Sequence, residues 1–303
     1  MNLGVNIGNV KLKNPIMTAS GTFGYGDEFN EIYDISRLGG IVTKAITPEV
    51  RPGNALPRIA ETEFGMLNSI GLANVGLKEF IEKKIPVIKN FGTEVFVNIA
   101  GKELKDYLIV AEAMNDYDFL AGLEVNISCP NVKEGGVAFG TKVEVAAEVT
   151  KEIRKIYKGH LMLKLSPNVT DIAAIAKAVE AEGADSVSVI NTLFGMAIDI
   201  NTFKPKVKSI VAGYSGPGIK PVALQAVWKC SKAVKIPVIG MGGIMNSDDV
   251  VEFLLAGATA VQVGTANFTN PTSSLKILEG LEAFMKKRGI DDIYNIIGKM
   301  ITE

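Results

Sequence analysis

Cysteine and histidine are nearly missing from this 303-residue sequence, which has two of the first and one of the second. Two thiols cannot build a disulfide framework, and they fit a reducing compartment. One histidine excludes a histidine-rich metal site. The two cysteines form no Cys-x-x-Cys pair, so the chain itself ligates no iron–sulfur cluster. An excess of charge is lacking too: 32 Lys+Arg stand against 33 Asp+Glu, a formal net charge of -1. Nucleic acid calls for a basic face and an anionic membrane for a basic patch, so neither partner is expected. No apolar run approaches the ~18 residues of a membrane span. The N-terminal segment has no apolar stretch behind positive charge, so no export signal is read. The expectation is a cytoplasmic protein. With 12 prolines and no low-complexity tract, disorder is excluded as well.

What is present is repetition. Short continuous apolar runs fall at 16–20, 40–44, 95–100, 123–128, 161–166, 186–191, 237–243 and 260–266. Runs of this kind suit strands buried on both faces. Between them lie stretches with apolar residues three and four apart, clearest at 102–116, 143–157, 171–182, 221–234 and 247–256, with a last one containing 279–287. Eight such repeats predict a (β/α)8 TIM barrel, read as one domain over residues 1–303. A doubly wound open sheet is the weaker choice, because no Gly-x-Gly-x-x-Gly opens a helix after any strand. Val5–Ile7 and Val10–Leu12 flank Gly8-Asn9, which predicts a small N-terminal β-hairpin closing the barrel bottom. The segments 47–74 and 196–220 read as long, polar, Gly/Pro-rich loops, and loops of that length tend to be functional.

Barrel chemistry collects at the C-terminal ends of the strands. Those ends carry Ser20, Lys44, Asn98, Asn126 with Cys129, Lys164, Asn191, Gly242-Gly243 and Gly264-Thr265. Several uncharged amides at one mouth complement a flat, neutral, hydrogen-bonding ring. Glycine at the last two strands lets backbone N–H groups approach a phosphate, although tight turns alone also require glycine. Lys44 and Lys164 each end an apolar strand and need a partner there. They can serve as cations facing an anion or as Schiff-base amines. Cys129 follows its strand and precedes a proline, the position of a reactive thiol. It has no histidine partner, which argues against a papain-like nucleophile. Cys230 falls inside a helix and reads as structural, and His160 as a surface residue at the barrel bottom.

The motif Asn126-Ile127-Ser128-Cys129-Pro130-Asn131, with Phe139-Gly140-Thr141, resembles the active-site loop of class 1 dihydroorotate dehydrogenases. Asn68 through Leu72, Lys164 through Asn168, Ile190-Asn191-Thr192, Ser215-Gly216-Pro217 and both glycine motifs follow in the family's order. The resemblance runs from Ser20 to Asn267. Gly21 through Gly26 and the Val-Lys-x-Gly-Gly after the cysteine look like class 1B rather than the fumarate-dependent class 1A. Class 2 enzymes carry serine at the cysteine position and an N-terminal membrane segment, and this sequence departs from both.

The resemblance implies FMN, held by Ser20, Lys44, Ala45, Asn98, Asn126, Lys164, Ile190, Gly216, Gly242, Gly243, Gly264 and Thr265. It implies a dihydroorotate/orotate site at Lys44, Asn68, Ser69, Ile70, Gly71, Leu72, Asn126, Asn131, Asn191 and Thr192. Hydride would leave C6 for flavin N5 while Cys129, as thiolate, takes the C5 proton, with Ser128 as a candidate relay. Lys44 would face the carboxylate, and Lys164 the flavin edge that becomes negative on reduction. Class 1B also implies a homodimer joined to an electron-transfer subunit, which carries FAD and a two-iron cluster (2Fe-2S), in a heterotetramer that passes electrons to NAD. A flavin-free Schiff-base aldolase barrel, a non-catalytic nucleotide-binding barrel and an FMN barrel acting on uracil-like rings are the other readings. A carboxylate opposite Lys44 favours orotate.

Overall fold

A computed structural model describes residues 1–128 and 142–302. Cys129, Asn131 and the Phe139-Gly140-Thr141 motif lie outside the described residues. Eight parallel strands close into a barrel in chain order: β3 (Ile16–Thr18), β4 (Gly40–Val42), β7 (Glu94–Ile99), β8 (Gly122–Asn126), β9 (His160–Leu165), β10 (Ser186–Val189), β15 (Val238–Met241) and β16 (Ala260–Val263). The closed ring excludes the doubly wound sheet. Each expected strand is found, but most stop two or three residues early. Their polar last residues, such as Ser20, Lys44 and Asn191, leave the ladder and turn into the mouth.

The major outer helices are α4 (Leu104–Met114), α5 (Val143–Ile156), α6 (Ile172–Ala181), α7 (Lys220–Ala233), α8 (Ser247–Leu255) and α10 (Ser273–Arg288). Shorter ones are α1 (Asp27–Asn30), α2 (Gly76–Glu79), α3 (Ile85–Ile88) and α9 (Ala266–Thr269). Two of the major helices start on side-chain caps. Asn246 accepts from the backbone of Asp248 and Asp249, and Asp249 reaches back to complete a capping box on α8. Asp171 caps α6 in the same manner. The helices face the barrel with an apolar stripe, as Ala146, Val149 and Ile153 do on α5. Cys230 is buried in α7, and burial pushes its thiol up to about 12, so it is inert.

The long segments expected to be loops contain strands. β11 (Leu193–Gly195), β14 (Ala212–Ser215), β6 (Gly65–Asn68) and β5 (Ile59–Thr62) form a four-stranded antiparallel sheet in that order. β12 (Ile198–Asp199) and β13 (Lys204–Pro205) pair as a small ribbon. These strands are short and half exposed, and β14 pairs with β6 through Gly213 and Asn68, far apart in sequence. No continuous apolar run announces such elements.

At the other end, β1 (Val5–Ile7) and β2 (Val10–Leu12) make the expected hairpin. Val5, Ile7 and Leu12 are buried, each contributing about 1.5–3 kcal/mol. The turn rests on His160, whose Nδ1 lies 3.2 Å from Asn9 Oδ1 and whose Nε2 lies 2.7 Å from Ser186 Oγ. His160 is therefore a core residue and not a surface one, because the hairpin covers the strand end that would otherwise be open. Burial pushes its imidazole down to about 4. Asp185 opposes that shift, and Arg154 adds to it.

A histidine whose pKa falls on folding contributes stability above the unfolded value of roughly 6.5 and loses it as pH falls toward about 4. The loss reaches roughly 3 kcal/mol at about 1.4 kcal/mol per pKa unit. Urea midpoints of the native protein should therefore fall between about pH 7 and about pH 5. His160→Gln, which keeps a partner for Ser186, should show a shallower fall. Equal slopes for the two proteins would mean that His160 does not set the acid limit.

Candidate active site

The floor of the barrel mouth is polar where a barrel core is ordinarily apolar. Glu124, fully buried on β8, accepts from four side chains. Asn98 Nδ2 lies 2.6 Å and Lys164 Nζ 3.5 Å from Oε1; Ser188 Oγ lies 2.9 Å and Gln262 Nε2 2.7 Å from Oε2. The donors come from β7, β9, β10 and β16. In the closed ring β16 stands opposite β8, so the Gln262 bond crosses the barrel. Lys164 also donates to Ser20 Oγ at 3.1 Å.

Above this floor is a cavity of about 510 Å³. Barrel strand ends supply Ser20, Lys44, Ala45, Asn126, Lys164, Ile190, Asn191 and Thr192. The covering sheet and its loop supply Asn68, Ser69, Ile70, Gly71, Leu72 and, after β14, Gly216. The last two barrel turns supply Gly242, Gly243, Gly264 and Thr265. The structure thus brings together every described residue of the expected site except Asn98. Asn98 sits one layer lower, beside Glu124, and does not line the cavity.

The amides are held in place. Asn191 Nδ2 donates to Asn126 Oδ1 at 3.3 Å, and Asn126 Oδ1 also accepts from the Ser128 backbone at 3.1 Å. The Tyr107 hydroxyl donates to the Asn126 carbonyl at 2.8 Å. Asn191 Oδ1 in turn accepts from the Thr192 backbone at 2.8 Å. Amides fixed by such contacts present defined donors and acceptors to a ring.

Lys44 is handled differently from Lys164. It makes no ion pair among the described residues. Burial holds its ammonium below the usual lysine value, and the nearby cation of Arg58 pushes the same way. Arg58 lines the same cavity and was not expected from the sequence. Two cations beside one cavity make it a site for an anion, since a carboxylate there would relieve both the desolvation and the repulsion. Glu124 and Gln262 were also missed. The signal for each was a polar residue inside an apolar run, Gly-Leu-Glu-Val-Asn and Ala-Val-Gln-Val.

The donor set fits FMN. Gln262 Oε1, on the cavity lining, is a buried acceptor with no partner among the described residues, and a ring N–H can satisfy such a carbonyl. The backbone N–H groups of Gly243, Gly264 and Thr265 donate to no described residue, so they can serve a phosphate. The glycines differ in why they are glycine. Gly243 has φ 82°, and a Cβ there would lie 2.8 Å from the Lys220 backbone nitrogen. Gly264 has ordinary backbone, and its Cβ would meet only Ala19 at 3.5 Å and Thr22 at 3.9 Å, both cavity residues.

A family model described as dihydroorotate dehydrogenase matches residues 2–285. Among similar curated proteins, one from Bacteroides thetaiotaomicron is 52% identical over 98% of both chains. One from Parabacteroides distasonis is 54% identical over 98% of both, and one from Alkaliphilus metalliredigens 53% over 99% of both. Each of the three is named dihydroorotate dehydrogenase B (NAD(+)), catalytic subunit.

Gly264 provides the cleaner test of the phosphate turns, because Gly243→Val would clash with the start of α7 whatever binds. Gly264→Val should keep the native melting temperature but hold FMN at least about tenfold more weakly, a loss of roughly 1.4 kcal/mol or more. Fluorescence titration of the apoprotein with FMN measures this. Unchanged affinity in a folded variant would remove Gly264 from the cofactor site.

Proposed function

The chain belongs to the dihydroorotate dehydrogenase family, and we propose that it is the catalytic subunit of an NAD-linked enzyme that oxidises (S)-dihydroorotate to orotate in pyrimidine biosynthesis. The observation that carries the substrate is the pairing of Lys44 and Arg58 with the fixed amides in one cavity. Cations suit the carboxylate, and amides suit the imide edge of the same planar ring. A uracil-like ring would leave the cations unmatched.

FMN, when bound, supplies the two-electron acceptor. Gly242, Gly243, Gly264 and Thr265 would hold its phosphate, with Gly216 and Ile190 alongside. Ser20, Ala45, Asn126 and Lys164 would surround the ring, with Asn98 one layer below, and the Lys164 cation would stabilise the negative charge that the ring gains on reduction. Lys44, Asn68 through Leu72, Asn126, Asn131, Asn191 and Thr192 orient the substrate. Cys129 removes the C5 proton as a thiolate. A thiol with an ordinary pKa of ~8.5 is mostly protonated near neutrality, so its environment or substrate binding must favour the thiolate.

Residues 1–303 act as one FMN-binding barrel. Two cysteines cannot ligate a cluster, so onward electron transfer to NAD needs a second subunit carrying FAD and a two-iron cluster. A homodimer of this chain forms the centre of that heterotetramer. Supporting it are apolar side chains at the turn of the β12–β13 ribbon, where Ile200 is 79% and Phe203 88% exposed. No helix among the described residues is long and apolar enough to cross a membrane, and we place the complex in the cytoplasm.

Acceptor choice tests this reading. Given dihydroorotate, the isolated chain should reduce an artificial dye quickly, fumarate poorly and NAD hardly at all. Addition of the partner subunit should enable NAD reduction. Rapid fumarate turnover would instead assign the class 1A reaction. In the same assay Cys129→Ala should lose dye reduction by about two to four orders of magnitude, the range for a lost general base. Cys129→Ser should regain some activity at higher pH. Full activity of Cys129→Ala would remove the cysteine from the chemistry.

A further inference from the structure

Glu124 has no part in the reading above, yet it touches more of the cavity floor than any residue in it. The carboxylate accepts from Asn98, Lys164, Ser188 and Gln262, and all four are donors. Both carboxylate oxygens act as acceptors, one of them facing the Lys164 ammonium. Its side chain is 0% exposed and that of Lys164 5%, so the two form a buried ion pair. Lys164 lines the cavity, whereas Glu124 lies behind it. The floor therefore presents a dipole with its positive end toward the cavity and not a lone cation. The field of such a pair falls off faster with distance than that of a single charge.

We propose that Glu124 is a positioning residue that fixes Lys164 and Asn98 beneath the cofactor ring and attenuates the lysine's charge, keeping the flavin easy to reoxidise. The proposal rests on the FMN reading. Reduction adds negative charge to the ring. An unopposed cation would favour the reduced form and slow its discharge to an acceptor as reducing as a nicotinamide. Glu124 sets the balance between taking electrons from dihydroorotate and giving them up.

The test is a double-variant cycle on the FMN-loaded protein, read by the reduction potential of the bound flavin and by its affinity for sulfite. Sulfite adds an anion to the oxidised ring and so reports positive charge near it. Glu124→Gln should raise the potential and tighten sulfite binding by about tenfold or more, because the lysine cation then acts unopposed in a low-dielectric site. Lys164→Gln should do the reverse. The double variant should return near the native values. An unchanged potential and sulfite affinity in Glu124→Gln would overturn the proposal.

If Glu124→Gln fails to fold, the double variant decides, since replacing both partners of a buried pair is often tolerated. It must show a higher potential and tighter FMN binding than Lys164→Gln alone, and equality in both overturns the proposal. A structural role alone would change melting temperature without this ordered shift in potential. Native protein that binds no FMN at all is a different outcome, which contradicts the flavin reading and the proposal together.

Discussion

The Glu124 carboxylate is the constraint on which the rest of the site depends. Burying one ionised carboxylate costs several kcal/mol unless every lone pair is met. Here the donors arrive from four other barrel strands, one of them directly opposite. The bond network therefore ties five of the eight strands at the level where the strands end. Removing Lys164 alone would leave a charge unmet in the core, at a cost of about 3–5 kcal/mol. The polar floor is thus both a structural knot and the base on which the cavity stands.

From that base the division of labour among the cations follows. Lys164 is held by Glu124 and Ser20 and has a fixed position. Lys44 makes no ion pair among the described residues; burial and the Arg58 cation destabilise its charge, with only a smaller opposing effect from Glu28. One lysine is pre-organised by a carboxylate and a hydroxyl, and the other is left receptive to an anion. The covering sheet completes the arrangement. Its loop, Asn68 through Leu72, closes the cavity from above and supplies amide and backbone groups that the barrel strands cannot reach.

Much of this was legible in the sequence, and for physical reasons. A parallel barrel strand is buried on both faces, so it writes a continuous apolar run, and all eight runs were visible. The residues at the run ends, from Ser20 to Thr265, marked the mouth because polar groups survive there only if they have a job or an exit. The covering sheet was not legible. Its strands are short and half exposed, and they pair across distant segments, as Asn68 does with Gly213. His160 looked like a surface residue because nothing in its own neighbours announces that the N-terminal hairpin folds over it. Glu124 and Gln262 were written plainly as polar residues inside apolar runs, but only the closed ring brings them together. Cys129 and Asn131 are chemical expectations from a motif, since they lie outside the described residues.

The central claim is that this cavity brings dihydroorotate against a flavin and removes two electrons and two hydrogens from it. Anaerobic addition of dihydroorotate to the purified, FMN-loaded chain tests that most directly, with the visible absorbance of the oxidised flavin followed in time. The account predicts rapid bleaching with one orotate formed per flavin, and colour restored when an acceptor is admitted. A flavin that binds orotate but stays fully oxidised under dihydroorotate would contradict it.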